Sequence, residues 1–212
     1  SGYFGIYERA YGMISIPEML AGMAASPMLI EELLEKITDY KVAVAKRMVQ
    51  FDRLKACHLG DDLGTQTGPF FSLKMFRRYL KPRFAKVWDV FKGANKFVIM
   101  HSCGHVTAFL PDLIDIGLDV LEPVQPVMDL KQLKAAFGND LVFWGGIDTQ
   151  QLLPYATPAE VKRMAAETIR TLGTGGGHII GPAQEVMIDV PLPNIVALVE
   201  TIVEERGKVA HL

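Results

Sequence analysis

Apolar positions along the chain recur with two periods, and the two periods alternate. Residues 26–50 open on Ser26-Pro27, a cap with proline at the first helical position. They then set Leu29, Ile30, Leu33, Leu34, Ile37, Val42, Val44 and Met48 among charges, which predicts a long amphipathic helix. A shorter helix is predicted at 17–25, and residues 1–12 read as a loop. The run at 54–59 predicts a strand closed by Gly60-Asp61-Asp62-Leu63-Gly64. Ser72 then caps a helix to Tyr79, which Pro82 interrupts and residues 84–91 resume. The run 97–100 (FVIM) has the length and β-branching of a buried strand, and it ends abruptly in His101, Cys103 and His105.

Beyond that point the alternation is regular. Helix 106–116 stops at Gly117, and strand 119–124 ends in Glu122-Pro123. Helix 130–137 stops at Gly138, and strand 141–144 ends in Gly145-Gly146-Ile147-Asp148. Thr157-Pro158-Ala159-Glu160 is a capping box opening a helix to Leu172. Glycines at 173 and 175–177 lead into strand 178–180, and a helix over 194–205 closes the series. Each cycle takes about thirty to forty residues, the size of one βα unit of a (β/α)8 barrel. The fold class is therefore α/β of the TIM-barrel type. Five strands are counted where a closed barrel needs eight, so the expectation is a partial barrel of about five units, the C-terminal part of one domain spanning 1–212. An open five-stranded doubly wound sheet is the other reading. The abrupt start favours a fragment lacking its N-terminal units.

Composition narrows the function classes. The 212 residues are 50% hydrophobic, with 22 basic against 24 acidic side chains. That balance carries no basic footprint for nucleic acid. No apolar run is long enough to span a bilayer, and two cysteines outside any framework pattern point to a reducing compartment. A cytoplasmic protein acting on a small molecule or another protein is expected. Strand edges exposed by missing units allow pairing into a homodimer.

The sharpest chemical signal is His101-x-Cys103. Residues two apart on an extended chain point the same way, so an imidazole and a thiolate there can meet one borderline-soft ion such as zinc. Zinc needs a third protein ligand, and Cys57 would have to supply it from another strand. The structural alternative is a hydrogen-bonded histidine beside a small buried cysteine.

The segments GDDLGTQTGPFFSLKMFRRYLKP (60–82), HSCGH (101–105), LDVLEPVQP (118–126), FGNDLVFWGGIDTQQLL (137–153), GGGHIIGPAQ (175–184) and DVPLPNI (189–195) resemble the uroporphyrinogen decarboxylase superfamily, which holds the haem-pathway decarboxylase and corrinoid-linked methyltransferases. In the methyltransferases, the resemblance implies, His101 and Cys103 match two zinc ligands. The later cysteine that supplies another is replaced here by Gly181-Pro182-Ala183-Gln184-Glu185, so Glu185, Asp61 or Asp62 would have to give an oxygen ligand. In the decarboxylase, a serine matching Asp61 and a histidine matching roughly Gln184 touch the porphyrinogen, and neither is present. The resemblance thus implies zinc-assisted methyl transfer between a thiol and a corrinoid carried on a partner protein. Porphyrinogen decarboxylation and an inactive or binding remnant are the alternatives.

Further site candidates follow from strand ends. Asp61, Asp62, Glu122 and Asp148 are candidate catalytic carboxylates, each weighed against loop capping or ion pairing, and Gln184 is a candidate substrate contact. His105 and His178 read as structural.

Overall fold

The structure is a computed structural model in which residues 5–206 and 208 are described. The chain divides into two compact units, Ser1–Val120 and Leu121–Leu212. Its five strands form one sheet in sequence order, β1-β2-β3-β4-β5, and the β1/β2 and β4/β5 pairings are parallel. This is the partial barrel-type arrangement expected from the alternation, since parallel neighbours joined in order by helices are what successive βα units produce. None of the described helices is long and apolar enough to cross a membrane.

The first unit begins differently from expectation. Residues 1–4 lie outside the described residues, but the rest of the expected loop is a helix, α1 (Tyr7–Ile14). Ile6, Tyr7 and Ala10 are buried on one side of it, a spacing that a short helix satisfies and a loop does not. Next come α2 (Ile16–Ala25), α3 (Pro27–Met48), β1 (Ala56–Gly60), α4 (Leu73–Tyr79) and α5 (Lys81–Lys92). Ser72 caps α4, its hydroxyl accepting from Met75 N–H at 3.2 Å. Pro82 starts a helix rather than breaking one: it lies in the first turn of α5, where its missing N–H has no intrahelical partner to lose. Strand β2 (Phe97–His101), a 3-10 turn (Thr107–Phe109) and α6 (Leu110–Asp115) complete the unit.

Alternation along β1 and β2 separates two faces. Cys57, Val98 and Met100 are buried, and Leu59 and Met100 meet Phe84, Val87 and Trp88 of α5 around a small apolar pocket. His58 and His101 lie on the other face, half-buried, with ring centroids 6.2 Å apart. Stacked aromatics fill the helical layer, Phe76 on Phe109 at 4.4 Å and Phe84 on Trp88 at 5.5 Å.

The second unit holds the rest of β3 (Val120–Val124), then α7 (Leu130–Phe137), β4 (Val142–Ile147), α8 (Leu152–Tyr155), α9 (Pro158–Gly173), β5 (His178–Pro182) and α10 (Leu192–Glu205). Asp129 caps α7 and the expected Thr157–Glu160 capping box opens α9. Strand β4 runs through Gly145-Gly146 rather than ending there. Both glycines have positive φ, and a Cβ on Gly146 would stand 2.8 Å from Thr168, so α9 packs where only glycine leaves room. Asn194 fastens α10 to α8: its amide donates to the carbonyls of Leu153 and Ala156, both at 2.8 Å, from a side chain 1% exposed. Asn194→Ala is expected to lower stability by about 1–3 kcal/mol, because it leaves two carbonyls unpaired in a dry place. A urea denaturation midpoint unchanged from wild type would contradict this.

Candidate functional site

The loops after β1 and β2 are held level by the parallel register, which sets Gly60 opposite His101. Asp61 N–H continues the ladder to the His101 carbonyl at 2.9 Å. Leu63 N–H donates to Ser102 Oγ at 3.0 Å, Cys103 N–H to Asp62 Oδ1 at 2.8 Å, and His105 N–H to the Thr65 carbonyl at 2.8 Å. Four cross-loop bonds in five residues make the two loops one rigid piece. Gly64 and Gly104 permit it: a Cβ on Gly104 would fall 2.3 Å from the Gly64 carbonyl carbon, and Gly104 has φ +82°.

On this piece three donors of different chemistry converge. His101 Nε2 lies 3.6 Å from Cys103 Sγ and 3.5 Å from Asp62 Oδ1, and the three ligand atoms all fall within 4.8 Å of one another. A tetrahedral zinc with ligands at about 2.0–2.3 Å spaces its donors about 3.3–3.8 Å apart, so the two histidine separations suit one ion. A nitrogen, a sulfur and an oxygen with a fourth position open is also a donor set that zinc accepts in catalytic sites. His101 and Asp62 are 24% and 34% exposed, which leaves that position reachable.

The neighbouring carboxylate has a different job. Asp61 is 2% exposed, and its Oδ2 accepts from Ile6 N–H at 2.7 Å and Tyr7 N–H at 3.0 Å, its Oδ1 from Glu8 N–H at 2.7 Å. Both oxygens are thus turned to the amino end of α1. Burial pushes the Asp61 carboxyl up to about 7, against the opposing pull of those amides. Cys57, the sequence's other thiol, is no ligand: it is 1% exposed on the helix-facing side of β1, and burial pushes it up to about 12.

Glu8 was not foreseen. Once α1 is a helix, Glu8 stands in its first turn, half-buried, with Tyr11 O–H donating to its Oε1 at 3.3 Å. Its carboxyl is raised first by burial and then by the negative charge of Asp62, while His101 acts in the opposite sense. The apolar spacing Ile6-Tyr7, Ala10-Tyr11, Ile14 was the signal that would have found it.

In the second unit the candidates lie on separate elements. Glu122 is half-buried within β3. Asp148 follows β4, and its Oδ1 accepts from Gln150 N–H at 2.7 Å and Gln151 N–H at 3.1 Å, a loop-capping arrangement. Gln184 and Glu185 follow β5 and are exposed, with Glu185 N–H bound to Gln184 Oε1 at 2.9 Å. His178, expected to be structural, lies with Nε2 3.1 Å from the Gly145 carbonyl oxygen, and burial lowers its pKa.

The family profile described as uroporphyrinogen decarboxylase (URO-D) matches residues 5–205. The chain belongs to the uroporphyrinogen decarboxylase family. Within the family its relatives fall on both sides. It is 26% identical over 203 residues to the methylcobamide:CoM methyltransferase MtaA of Methanosarcina barkeri, covering 93% of this chain and 56% of that protein. It is 25% identical over 197 residues to the uroporphyrinogen decarboxylase of Actinobacillus succinogenes, covering 89% and 52%. A methyltransferase from Methanosarcina mazei shares the fold, with a TM-score of 0.76 at 23% identity over 95% of this chain and 57% of that one. The chain spans about half the length of the curated relatives it matches.

Proposed function

We propose that this family member is a zinc-assisted methyltransferase that moves a methyl group between a thiol and a corrinoid carried on a separate protein. The observation that supports this reading is the Asp62–His101–Cys103 donor set, in which Asp62 takes the place of the absent later cysteine. Glu185, expected from the sequence as an alternative oxygen ligand, is not needed for a three-donor site. The methyltransferases among the relatives incline the choice of chemistry the same way.

The chain's own residues would divide the work as follows. Cys103 supplies sulfur, held in place by its own N–H on Asp62 Oδ1, and His101 supplies Nε2 from the end of a rigid strand. Asp62 both supplies oxygen and fixes Cys103, so it couples the β1 loop to the β2 loop. Zinc bound there supplies Lewis-acid stabilisation of a substrate thiolate at neutral pH.

Metal analysis tests the reading. Purified protein is expected to hold one zinc per chain. Cys103→Ser is expected to weaken zinc more than about a hundredfold, since removing even an outer hydrogen-bond partner of a ligand typically costs 10–100-fold. Asp62→Asn should fall in or above that range. Zinc-free protein that turns over uroporphyrinogen would replace this reading with the decarboxylase one, and zinc-free protein without turnover would leave a binding remnant.

A further inference from the structure

Helix α10 is apolar on two sides, and only one of them is covered. Asn194, Ala197, Leu198, Thr201 and Glu205 are buried on its inner side. On the outer side Leu192, Val196, Val199 and Val203 are 70%, 45%, 53% and 58% exposed. Their steps of four, three and four residues are those of a coiled-coil seam, and no described residue covers it. Exposed valines scattered singly need no explanation, whereas an unbroken row of four large apolar side chains along one helix marks an interaction surface. Met187 and Ile188, in the turn that leads into the helix, are exposed as well.

We propose that this stripe is a self-association surface, on which α10 of a second copy of the chain lies antiparallel. The row is palindromic about its midpoint. Turned end for end, it sets Leu192 of one copy against Val203 of the other and Val196 against Val199, and two-fold symmetry repeats both layers. The charges obey the same register. Glu200 flanks the seam opposite Pro193 of the other copy and is drawn aside by Lys162 of α9, Nζ to Oε2 at 2.6 Å, so no carboxylate faces another across it. Asp189, just before one helix, comes level with Arg206, just after the other, at both ends of the seam, whereas a parallel pairing sets like charges level at each end. With Met187 and Ile188 included, the exposed apolar area comes to roughly 1,000 Å2 over two copies, the lower end for a specific interface. A dimer that dissociates at micromolar concentration is expected.

The test is sedimentation equilibrium of the whole chain across the micromolar range at low ionic strength. Wild type is expected to pass from monomer to dimer. Val199→Lys should weaken the dimer by more than about a hundredfold with an unchanged circular dichroism spectrum, since symmetry places two lysines in the centre of the seam. Met28→Lys is the control, because Met28 is a more exposed apolar residue on another helix, and it should leave the dimer as it is. Arg206→Asp should weaken association by about tenfold, two surface charge pairs being reversed at once. Asp189→Arg added to Arg206→Asp in the same chain should restore it, which damage to the helix alone would not do. A monomer at every concentration overturns the proposal. So does a dimer that survives Val199→Lys, which would be joined through the exposed sheet edges or another face. A charge reversal that is not rescued overturns the antiparallel register and the proposal with it.

Discussion

Asp61→Ala is expected to release α1 from the strand end and to lower stability by about 3 kcal/mol or more. Three N–H groups, those of Ile6 and Tyr7 buried and that of Glu8 part-buried, lose the Asp61 carboxylate as acceptor, and each buried unsatisfied donor costs about 1–3 kcal/mol. The released helix also uncovers Tyr7, which is fully buried against Phe71 at 5.1 Å between ring centroids. Hydrogen exchange at those three amides should accelerate more than the global stability loss alone requires. Asp61→Asn keeps one oxygen acceptor and should fall between the two. The same residue predicts a pH dependence with a definite sign. The folded carboxyl is raised to about 7 from an ordinary value of 3.8, so between those limits the folded state holds more protons than the unfolded. Stability from this group is therefore complete below about pH 4 and declines as pH rises through 7. Thermal melts across that window should show wild type losing ground relative to Asp61→Asn. A wild type that gains ground instead would mean that the three amides, and not burial, govern the carboxyl.

The parts of the fold that were legible in the sequence are those where local chemistry and packing agree. The Thr157–Glu160 capping box, the apolar run before His101 and the Gly138 stop after α7 each state a boundary in their own residues, and the structure keeps all three. Legibility failed where a distant residue decides. The apolar spacing of residues 6–14 fits a helix, but the start of that helix is held by Asp61, more than fifty positions away, and nothing within SGYFGIYERAYG announces that partner. Gly145-Gly146 reads as a strand end because glycine is poor in strands; the strand continues because β5 pairs with it through Ile147, and the missing side chain of Gly146 leaves room for Thr168 of α9. The site was half legible for the same reason. His101 and Cys103 declare themselves by spacing, whereas Asp61 and Asp62 are adjacent carboxylates that sequence cannot separate. Strand geometry separates them: one points to α1 and is buried, the other points to the donors.

Gly104→Ala should abolish the proposed zinc binding and destabilise the first unit together, because one glycine fixes both. An added Cβ would sit 2.3 Å from the Gly64 carbonyl carbon and 2.6 Å from both the Gly64 oxygen and the Thr65 nitrogen, all backbone atoms that cannot swing away. The φ of +82° adds the left-handed penalty of about 1–2 kcal/mol for a residue with a side chain. Relief requires the β2 loop to lift off the β1 loop, which breaks His105 N–H from Thr65 and draws Cys103 away from Asp62. The combined loss is expected at about 3–5 kcal/mol, the range of a severe backbone clash. Gly175→Ala separates the two contributions. Gly175 has a comparable φ of +73° but open space where its Cβ would lie, so only the conformational penalty applies, about 1–2 kcal/mol, with zinc content unchanged. If Gly104→Ala instead melts no lower than Gly175→Ala and retains its zinc, the two loops are not the rigid piece that brings Asp62, His101 and Cys103 together.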